Sequence, residues 1–419
     1  MKSFKSYIFT KNKLDCTGCG ACSHICKHSA IKMREDEEGF LFPVLDEEKC
    51  VRCGLCDMRC PVVNSHQNNI YDNQRYYLVT THEEQYYKKS ATIGLCTMLS
   101  EYVVDNGGVV FGAYLDEAEW RVYHLKVSSK DDIEKIRNSK YAQSDPRTAY
   151  EDVRSLLIQN ILVLYVGTPC QIAGLKSFLN RSYDNLYTID LICHGVYSYK
   201  ILRKEVEYWN KKINSNIFNL KFRSKRDSYW IDGGIVNFDY KKEDGRIRHK
   251  EIHGSCSPTY RCYAYSSDGI CYNLRESCYD CRFRDVSRFG DMTIGDAWFT
   301  LKHYKNIDIE RNRKNGVCLC LVNTQKGSSL LSKIETFYEA VEISKENTFL
   351  QPALRFEKLG IPYSRYQLYE SLDAEDYGKL VEQQILHTNF SDIYAQYRKR
   401  ERINSIKRVI KSVICKTRH

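Results

Sequence analysis

The sequence predicts a mixed α+β / α/β chain in three parts: a cysteine-rich N-terminal module, a larger body of alternating strands and helices, and a helical basic tail. Three observations carry that prediction. Residues 16–61 hold two copies of the run C-x2-C-x2-C-x3-C. From Tyr76 onward, short β-rich runs alternate with stretches of helical spacing, which is the pattern of an α/β layer. From Arg398 onward nine Lys/Arg stand against Glu401, so that stretch holds +8 of the net charge of +10. A chain of 419 residues predicts roughly two or three domains. Its 42% hydrophobic and 12% aromatic content suffices for a sizeable core.

The first cysteine copy reads Cys16-Thr-Gly-Cys19-Gly-Ala-Cys22-Ser-His-Ile-Cys26, and the second Cys50-Val-Arg-Cys53-Gly-Leu-Cys56-Asp-Met-Arg-Cys60-Pro61. Three closely spaced thiolates take three corners of an iron–sulfur cubane, and the fourth reaches the neighbouring cluster, as in bacterial two-cluster ferredoxins. The spacing assigns Cys16, Cys19, Cys22 and Cys60 to one [4Fe–4S] centre and Cys50, Cys53, Cys56 and Cys26 to the other. Gly18, Gly20 and Gly54 let backbone N–H groups approach the sulfides without a Cβ in the way. Two zinc knuckles are the alternative, but zinc favours paired C-x2-C units over triplets with a trailing cysteine. Residues 39–45 read as the short strand pair joining the two halves, and the polar stretch 64–74 as a linker closing a module over 1–70.

Nineteen cysteines in a secreted chain would be a disulfide scaffold. Here residues 1–14 lack an apolar leader, no run reaches the length of a membrane span, and bunched ligand thiols need a reducing compartment. The expectation is a cytoplasmic protein.

The body continues in order. Residues 76–80 are a short strand, 95–104 carry helical spacing, 107–112 turn into a strand and 131–137 form a short helix. Residues 161–166 are a buried strand, followed by the turn Gly167-Thr168-Pro169 and a helix from Cys170 with Ile172, Leu175 and Leu179 on one face. The strand 186–192 ends at Cys193-His194-Gly195, 231–252 read as a hairpin around Gly245, and 291–295 and 317–322 are strands. Helices predominate after Gly327. The parts are an N-terminal portion of the body over 71–155, a C-terminal portion over 156–345 and a helical region over 346–419. No G-x-G-x-x-G follows a strand and no Walker loop or H-E-x-x-H occurs, which argues against a nicotinamide-binding unit of the usual form. With the charge concentrated in the tail, the body offers no nucleic-acid footprint.

A second cysteine constellation lies in this body. Cys170 opens a helix, where exposed N–H groups favour a thiolate, and Cys193 ends the next strand. The pair Cys278-Tyr-Asp-Cys281 needs two further thiolates for a four-cysteine site, and these two would supply them. Other readings remain open: a buried apolar Cys170, a nucleophilic Cys170 with His194 as base, or a zinc site using Cys256, Cys262 or Cys271 with the pair.

Three phrases carry a resemblance: Gly167-Thr-Pro-Cys-Gln-Ile-Ala-Gly-Leu175, Asp190-Leu-Ile-Cys-His-Gly195, and Ser277-Cys-Tyr-Asp-Cys-Arg282 with Gly290-Asp-Met-Thr-Ile-Gly-Asp296. In order over roughly residues 10–300, the chain resembles the beta-subunit family of coenzyme F-420 hydrogenases and dehydrogenases, in particular members found in bacterial polysaccharide-synthesis loci. The resemblance implies a ferredoxin module fused to an α/β flavin- and cluster-binding domain. It implies an iron–sulfur flavoprotein oxidoreductase with FAD, a third [4Fe–4S] cluster on Cys170, Cys193, Cys278 and Cys281, and a sugar-type small organic substrate or carrier. Its partner would be a redox protein or a small electron donor. By the same resemblance Ser139, Lys140, Tyr141 and Ser144, with His194, stand near the flavin or substrate. Relatives commonly carry Ser-Ser-Gly-Gly where this chain has Ala91-Thr92-Ile93-Gly94, which narrows the backbone freedom of that turn.

In the tail, Ile406, Val409, Ile410, Val413 and Ile414 recur at helical spacing among Lys and Arg. A basic amphipathic helix of this kind suits peripheral contact with an anionic membrane, or docking on the protein itself by its isoleucine stripe.

Overall fold

Val163 and Tyr165 pack into one apolar core, while their neighbours Leu164 and Val166 pack into another. A strand buried on both faces must be sandwiched by helices, and that arrangement organises the body of the chain. The computed structural model describes residues 5–64, 73–225, 234–264, 269–300, 315–396, 398, 399 and 403.

The N-terminal module is folded on its duplicated motif. The single turns α1 (Ala21–Ile25) and α2 (Leu55–Met58) each start from a glycine with positive φ, Gly20 at 79° and Gly54 at 74°. Between them β1 (Ile31–Glu35) and β2 (Leu41–Leu45) form an antiparallel hairpin. The stretch 39–45 thus supplies only the second strand of the expected pair. The first strand is not an apolar run, because its Lys32 and Arg34 alternate outward from Ile31 and Met33.

Among the described residues, nine strands make the central sheet. They are β3 (Arg75–Thr80), β4 (Val109–Asp116), β5 (Arg121–Val127), β6 (Ser144–Asp145), β7 (Val163–Gly167), β8 (Leu186–Leu191), β12 (Met292–Asp296), β13 (Cys318–Val322) and β14 (Glu339–Glu342). Their spatial order is β14-β3-β13-β12-β8-β7-β4-β5-β6. The four strands β4, β7, β8 and β12 run parallel, and antiparallel neighbours flank them on both sides. One continuous sheet therefore draws strands from both 71–155 and 156–345. A separate antiparallel meander, β9 (Ile217–Ser224), β10 (Ile235–Lys241) and β11 (Ile247–His253), extends the expected hairpin by one strand.

Helices α3 (Leu95–Asp105) and α8 (Gln325–Ser332) cover one face of the sheet. Helices α5 (Ala149–Ile158) and α6 (Pro169–Leu179) cover the other. Between α3 and α5 in the chain comes α4 (Lys130–Ile136), and after β8 comes α7 (Tyr199–Ile213). After α8 the chain adds the edge strand β14 and then α9 (Tyr363–Ser371). Arg365 of α9 is fully buried and donates to both carboxylate oxygens of Glu38, at 2.9 and 2.6 Å, and to the Leu274 carbonyl. This pair clamps the C-terminal region onto the turn of the β1–β2 hairpin. Among the described residues no helix is long and apolar enough to cross a membrane. Nearly all of the basic tail lies outside the described residues.

In parallel α/β sheets, functional groups collect at the carboxyl ends of the strands. Here β7 ends at Gly167, β8 at Leu191 and β12 at Asp296.

Candidate metal centres

Cys170 follows β7 directly. Thr168 caps α6 in a capping box with Gln171, Pro169 takes the first helical position, and Cys170 comes next. Cys193 lies two residues beyond β8. The Cys278–Cys281 pair starts in a helical turn, Glu276–Tyr279, tied back by the Arg275 N–H to the Val196 carbonyl at 2.9 Å. Gly195 permits the close approach of the two segments: its φ is 133°, and a Cβ there would meet the Leu274 side chain at 2.8 Å and Cys278 Cβ at 3.3 Å. Cys170, Cys193, Cys278 and Cys281 thus line one cleft of about 610 Å³, together with Thr17, Gly18, Gln143, Ser144, His194 and Arg284.

A second cavity of about 360 Å³ is lined by Cys16, Cys19, Cys22 and Cys60. The two cavities share a wall, Thr17 and Gly18. Helix α6 presses on the other side of the same loop, because Gly174 leaves no side chain between them: a Cβ there would lie 3.0 Å from Cys19 Cβ and 3.1 Å from its Sγ. The remaining quartet lies further out, with Cys53 exposed and Cys26, Cys50 and Cys56 half-buried. Among the described residues no three His, Cys, Asp or Glu converge on one point as a single ion requires. Two of the three quartets line cavities, Cys170, Cys193, Cys278 and Cys281 in one and Cys16, Cys19, Cys22 and Cys60 in the other.

Burial dominates the electrostatics of these thiols. It holds Cys60 and Cys170 up to about 11 and Cys193 up to about 12. At Cys170 burial is the largest influence, and a hydrogen bond with Thr168 Oγ1 (3.2 Å) pulls the other way. Ligation of such thiols releases protons. His194 Nε2 lies 2.9 Å from Cys271 Sγ, and burial and then Arg284 pull this histidine down to about 4. The imidazole is therefore engaged with Cys271. Cys256, Cys262 and Cys271 pack in the large apolar core rather than in the four-cysteine cleft.

Of the residues expected near a flavin or substrate, Ser144 and His194 line the four-cysteine cleft. Ser144 is held there by His124 Nδ1 at 2.9 Å. Ser139 is half-buried just beyond α4. Lys140 instead donates to the carbonyls of Lys135, Arg137 and Asn138 at the end of α4, and burial pulls it down to about 7. Tyr141 sits in an aromatic cluster with Phe222, Tyr260 and Tyr263. In the turn 91–94 only Gly94 has a positive φ, at 83°. Thr92 Oγ1 bonds to Asp296 and Ile93 is fully buried, so the β-branched residues serve as anchors there.

Sequence reasoning passed over Arg275 and Arg284, although the spacing Arg275-x2-Cys278-x2-Cys281-x2-Arg284 places one on either side of the pair. It also passed over the ion pair that stitches the strand ends, Asp190 with Arg288, both with side chains at most 1% exposed.

A dicluster cysteine module joined to a parallel-sheet body with cysteines at its strand ends defines an iron–sulfur protein of the electron-transferring oxidoreductase class. Residues 15–64 match the 4Fe-4S dicluster domain, and residues 161–346 match the C terminus of the coenzyme F420 hydrogenase/dehydrogenase beta subunit. Residues 161–346, somewhat under half of the chain, are thus similar to the C-terminal part of that beta-subunit family, and a dicluster domain precedes them. It is 28% identical over 186 residues to a coenzyme F420-dependent sulfite reductase of Methanocaldococcus jannaschii, covering 43% of this chain and 28% of that protein. It is 21% identical over 259 residues to a subunit of the F(420)H(2) dehydrogenase of Methanosarcina mazei, covering 58% of this chain and 72% of that protein. The match thus spans less than a third of the first relative's length. A chain of the F420-reducing [NiFe] hydrogenase complex from Methanosarcina barkeri overlays with a TM-score of 0.41 at 17% identity, covering 69% of this chain and 96% of that one.

Proposed function

We propose that the chain is an iron–sulfur flavoprotein that carries electrons between ferredoxin-type clusters and a flavin, and on to a small organic substrate or carrier. The observation that carries this reading is the pair of adjoining four-cysteine cavities sharing Thr17 and Gly18. Cys16, Cys19, Cys22 and Cys60 would hold one [4Fe–4S] cluster, Cys26, Cys50, Cys53 and Cys56 a second, and Cys170, Cys193, Cys278 and Cys281 a third. Bound there, such clusters supply one-electron transfer, and FAD supplies the change from single electrons to a hydride-type reduction. The protein supplies binding, orientation and exclusion of water: Gly195 and Gly174 set the close approaches, and Phe283 and Pro169 close the cleft with apolar surface. The FAD would lie toward Ser139, Lys140, Tyr141, Ser144 and His194, of which Ser144 and His194 already face the cleft. A sugar or nucleotide-sugar substrate in polysaccharide synthesis, a location in the cytoplasm and a peripheral membrane contact by the tail complete the proposal. These last three rest on the sequence alone.

A second reading is favoured by the relative from Methanosarcina mazei, which is one component of a dehydrogenase and aligns over most of its length. In it the chain is an electron-transfer component docking on a larger redox enzyme, without a substrate of its own. Anaerobic purification of the chain alone separates the two. The first reading requires stoichiometric flavin and turnover of an added electron acceptor; absence of both rejects it in favour of the second.

A further inference from the structure

Arg275 is fully buried, and among the described residues no carboxylate pairs with it. Its Nε donates to the Cys16 carbonyl at 2.8 Å, and its Nη1 donates to the Leu41 carbonyl at 3.1 Å and to Gln143 Oε1 at 3.0 Å. The Phe42 ring lies 3.9 Å from the guanidinium, and the buried Nη2 has no partner among the described residues. Arg284 is 6% exposed, lines the four-cysteine cleft and donates to the His194 carbonyl at 3.2 Å, and its buried Nε has no partner among the described residues. The other buried arginines behave differently, since Arg288 faces Asp190, Arg365 faces Glu38 and Arg223 faces Asp296. A guanidinium taken out of water without a counter-charge is strongly unfavourable. Two of them flanking one set of cysteines call for an anion in common.

A cubane ligated by four thiolates is itself an anion, and nearby charge is one of the factors that set its reduction potential. We propose that Arg275 and Arg284 are the counter-cations of the cluster sites, each raising the midpoint potential of the clusters it faces. Arg284 serves the cleft of Cys170, Cys193, Cys278 and Cys281 alone. Arg275 lies behind the Cys16–Gly18 loop that walls both cavities: a Cβ on Gly18 would be 3.1 Å from its Nη1. It therefore serves that cleft and the cavity of Cys16, Cys19, Cys22 and Cys60 together. The proposal rests on the reading that these cavities hold clusters. Its rival is a purely structural Arg275 that staples the carbonyls of Cys16 and Leu41.

The test is a redox titration followed by electron paramagnetic resonance on the full chain, reconstituted anaerobically, with iron counted in each sample. Arg284→Gln is expected to lower the potential of one centre by at least the equivalent of a tenfold change in equilibrium constant, about 59 mV for one electron. Arg275→Gln is expected to lower two centres, and Arg275→Lys, which keeps the charge, to restore most of that shift. Gln143→Glu sets a carboxylate against Arg275 Nη1 and is expected to mimic Arg275→Gln even where the latter loses iron. Unchanged potentials in variants that keep their iron overturn the proposal. So does loss of iron in every Arg275 and Gln143 variant, the lysine included, with no shift in the centres that remain. If the unmodified chain holds only the ferredoxin iron, the third-cluster reading fails by itself. The Arg275 proposal then stands or falls on the Cys16 centre.

Discussion

Replacing Asp190 by asparagine should unfasten the strand ends that carry the four-cysteine cleft. Asp190 is fully buried; its Oδ1 accepts from Arg288 Nε at 2.9 Å, Arg288 Nη2 at 2.7 Å and Thr293 Oγ1 at 2.7 Å, and its Oδ2 accepts from the Gly290 N–H at 2.8 Å. Arg288 donates onward to the carbonyls of Leu191, Phe283 and Asp285, so one ion pair ties the end of β8 to the loop after Cys281. The substitution Asp190→Asn keeps the shape but removes the charge. The one amide oxygen can accept either from Arg288 or from the Gly290 N–H, so the other donor meets an NH2, and in both cases the buried guanidinium loses its counter-charge. Breaking one side of a buried pair costs about 3–5 kcal/mol, a large share of the roughly 5–15 kcal/mol that holds a native protein together. Urea titration by circular dichroism should show a loss in that range, and iron analysis a preferential loss from the Cys193–Cys281 cleft over the ferredoxin pair. A variant within about 1 kcal/mol of the parent, with full iron, would refute the argument that this pair positions the cleft.

Gly174→Ala forces a Cβ to 3.0 Å from both Cys19 Cβ and Tyr150 Oη. The overpacking should cost about 1–3 kcal/mol and disturb the resonance signal of the Cys16 centre while sparing the Cys50 centre; an unaltered Cys16 signal would deny that α6 bears on that loop. His124 is buried and held down to about 4, chiefly by desolvation. Its folded value lies below the unfolded one of about 6.5, so the unfolded chain takes up the extra proton between those values and stability falls as pH drops through that window. The His124 share is intact above about pH 6.5 and reduced by about 2 kcal/mol at pH 5. The difference between denaturation at pH 7.5 and pH 5 should accordingly shrink in His124→Gln, and an equal pH dependence in both proteins would count against it. Ending the chain after Tyr397 should abolish salt-sensitive binding to anionic vesicles and leave the visible spectrum intact; equal binding with and without the tail rejects the membrane contact.

How much could be read from the sequence follows from what each element depends on locally. Strands β7 and β13 are short apolar runs, so composition marks them, whereas β8 and β12 carry Thr and Asp among their apolar residues. The meeting of Cys170, Cys193, Cys278 and Cys281 was readable because two of them stand at ends of adjacent parallel strands and the others form a C-x2-C pair. Strand β14 was not readable: Glu339-Ala-Val-Glu342 is exposed throughout, a charged edge whose only reason to be extended is its pairing with β3. Lys140 shows the limit of position-by-position inference, since it lies in the expected stretch but spends its ammonium on the carbonyls closing α4. Arg275 and Arg284 carry no local mark beyond their spacing. What distinguishes them is that, among the described residues, no carboxylate pairs with either, where Arg288 and Arg365 each have one.

The count of iron per chain after anaerobic purification, with zinc measured on the same sample, tests the central claim most directly. Three cubanes require about twelve irons, and Cys278→Ser should then remove up to about four while the two ferredoxin signals persist. About eight irons accompanied by one zinc, unchanged in number by Cys278→Ser apart from the zinc, would contradict it.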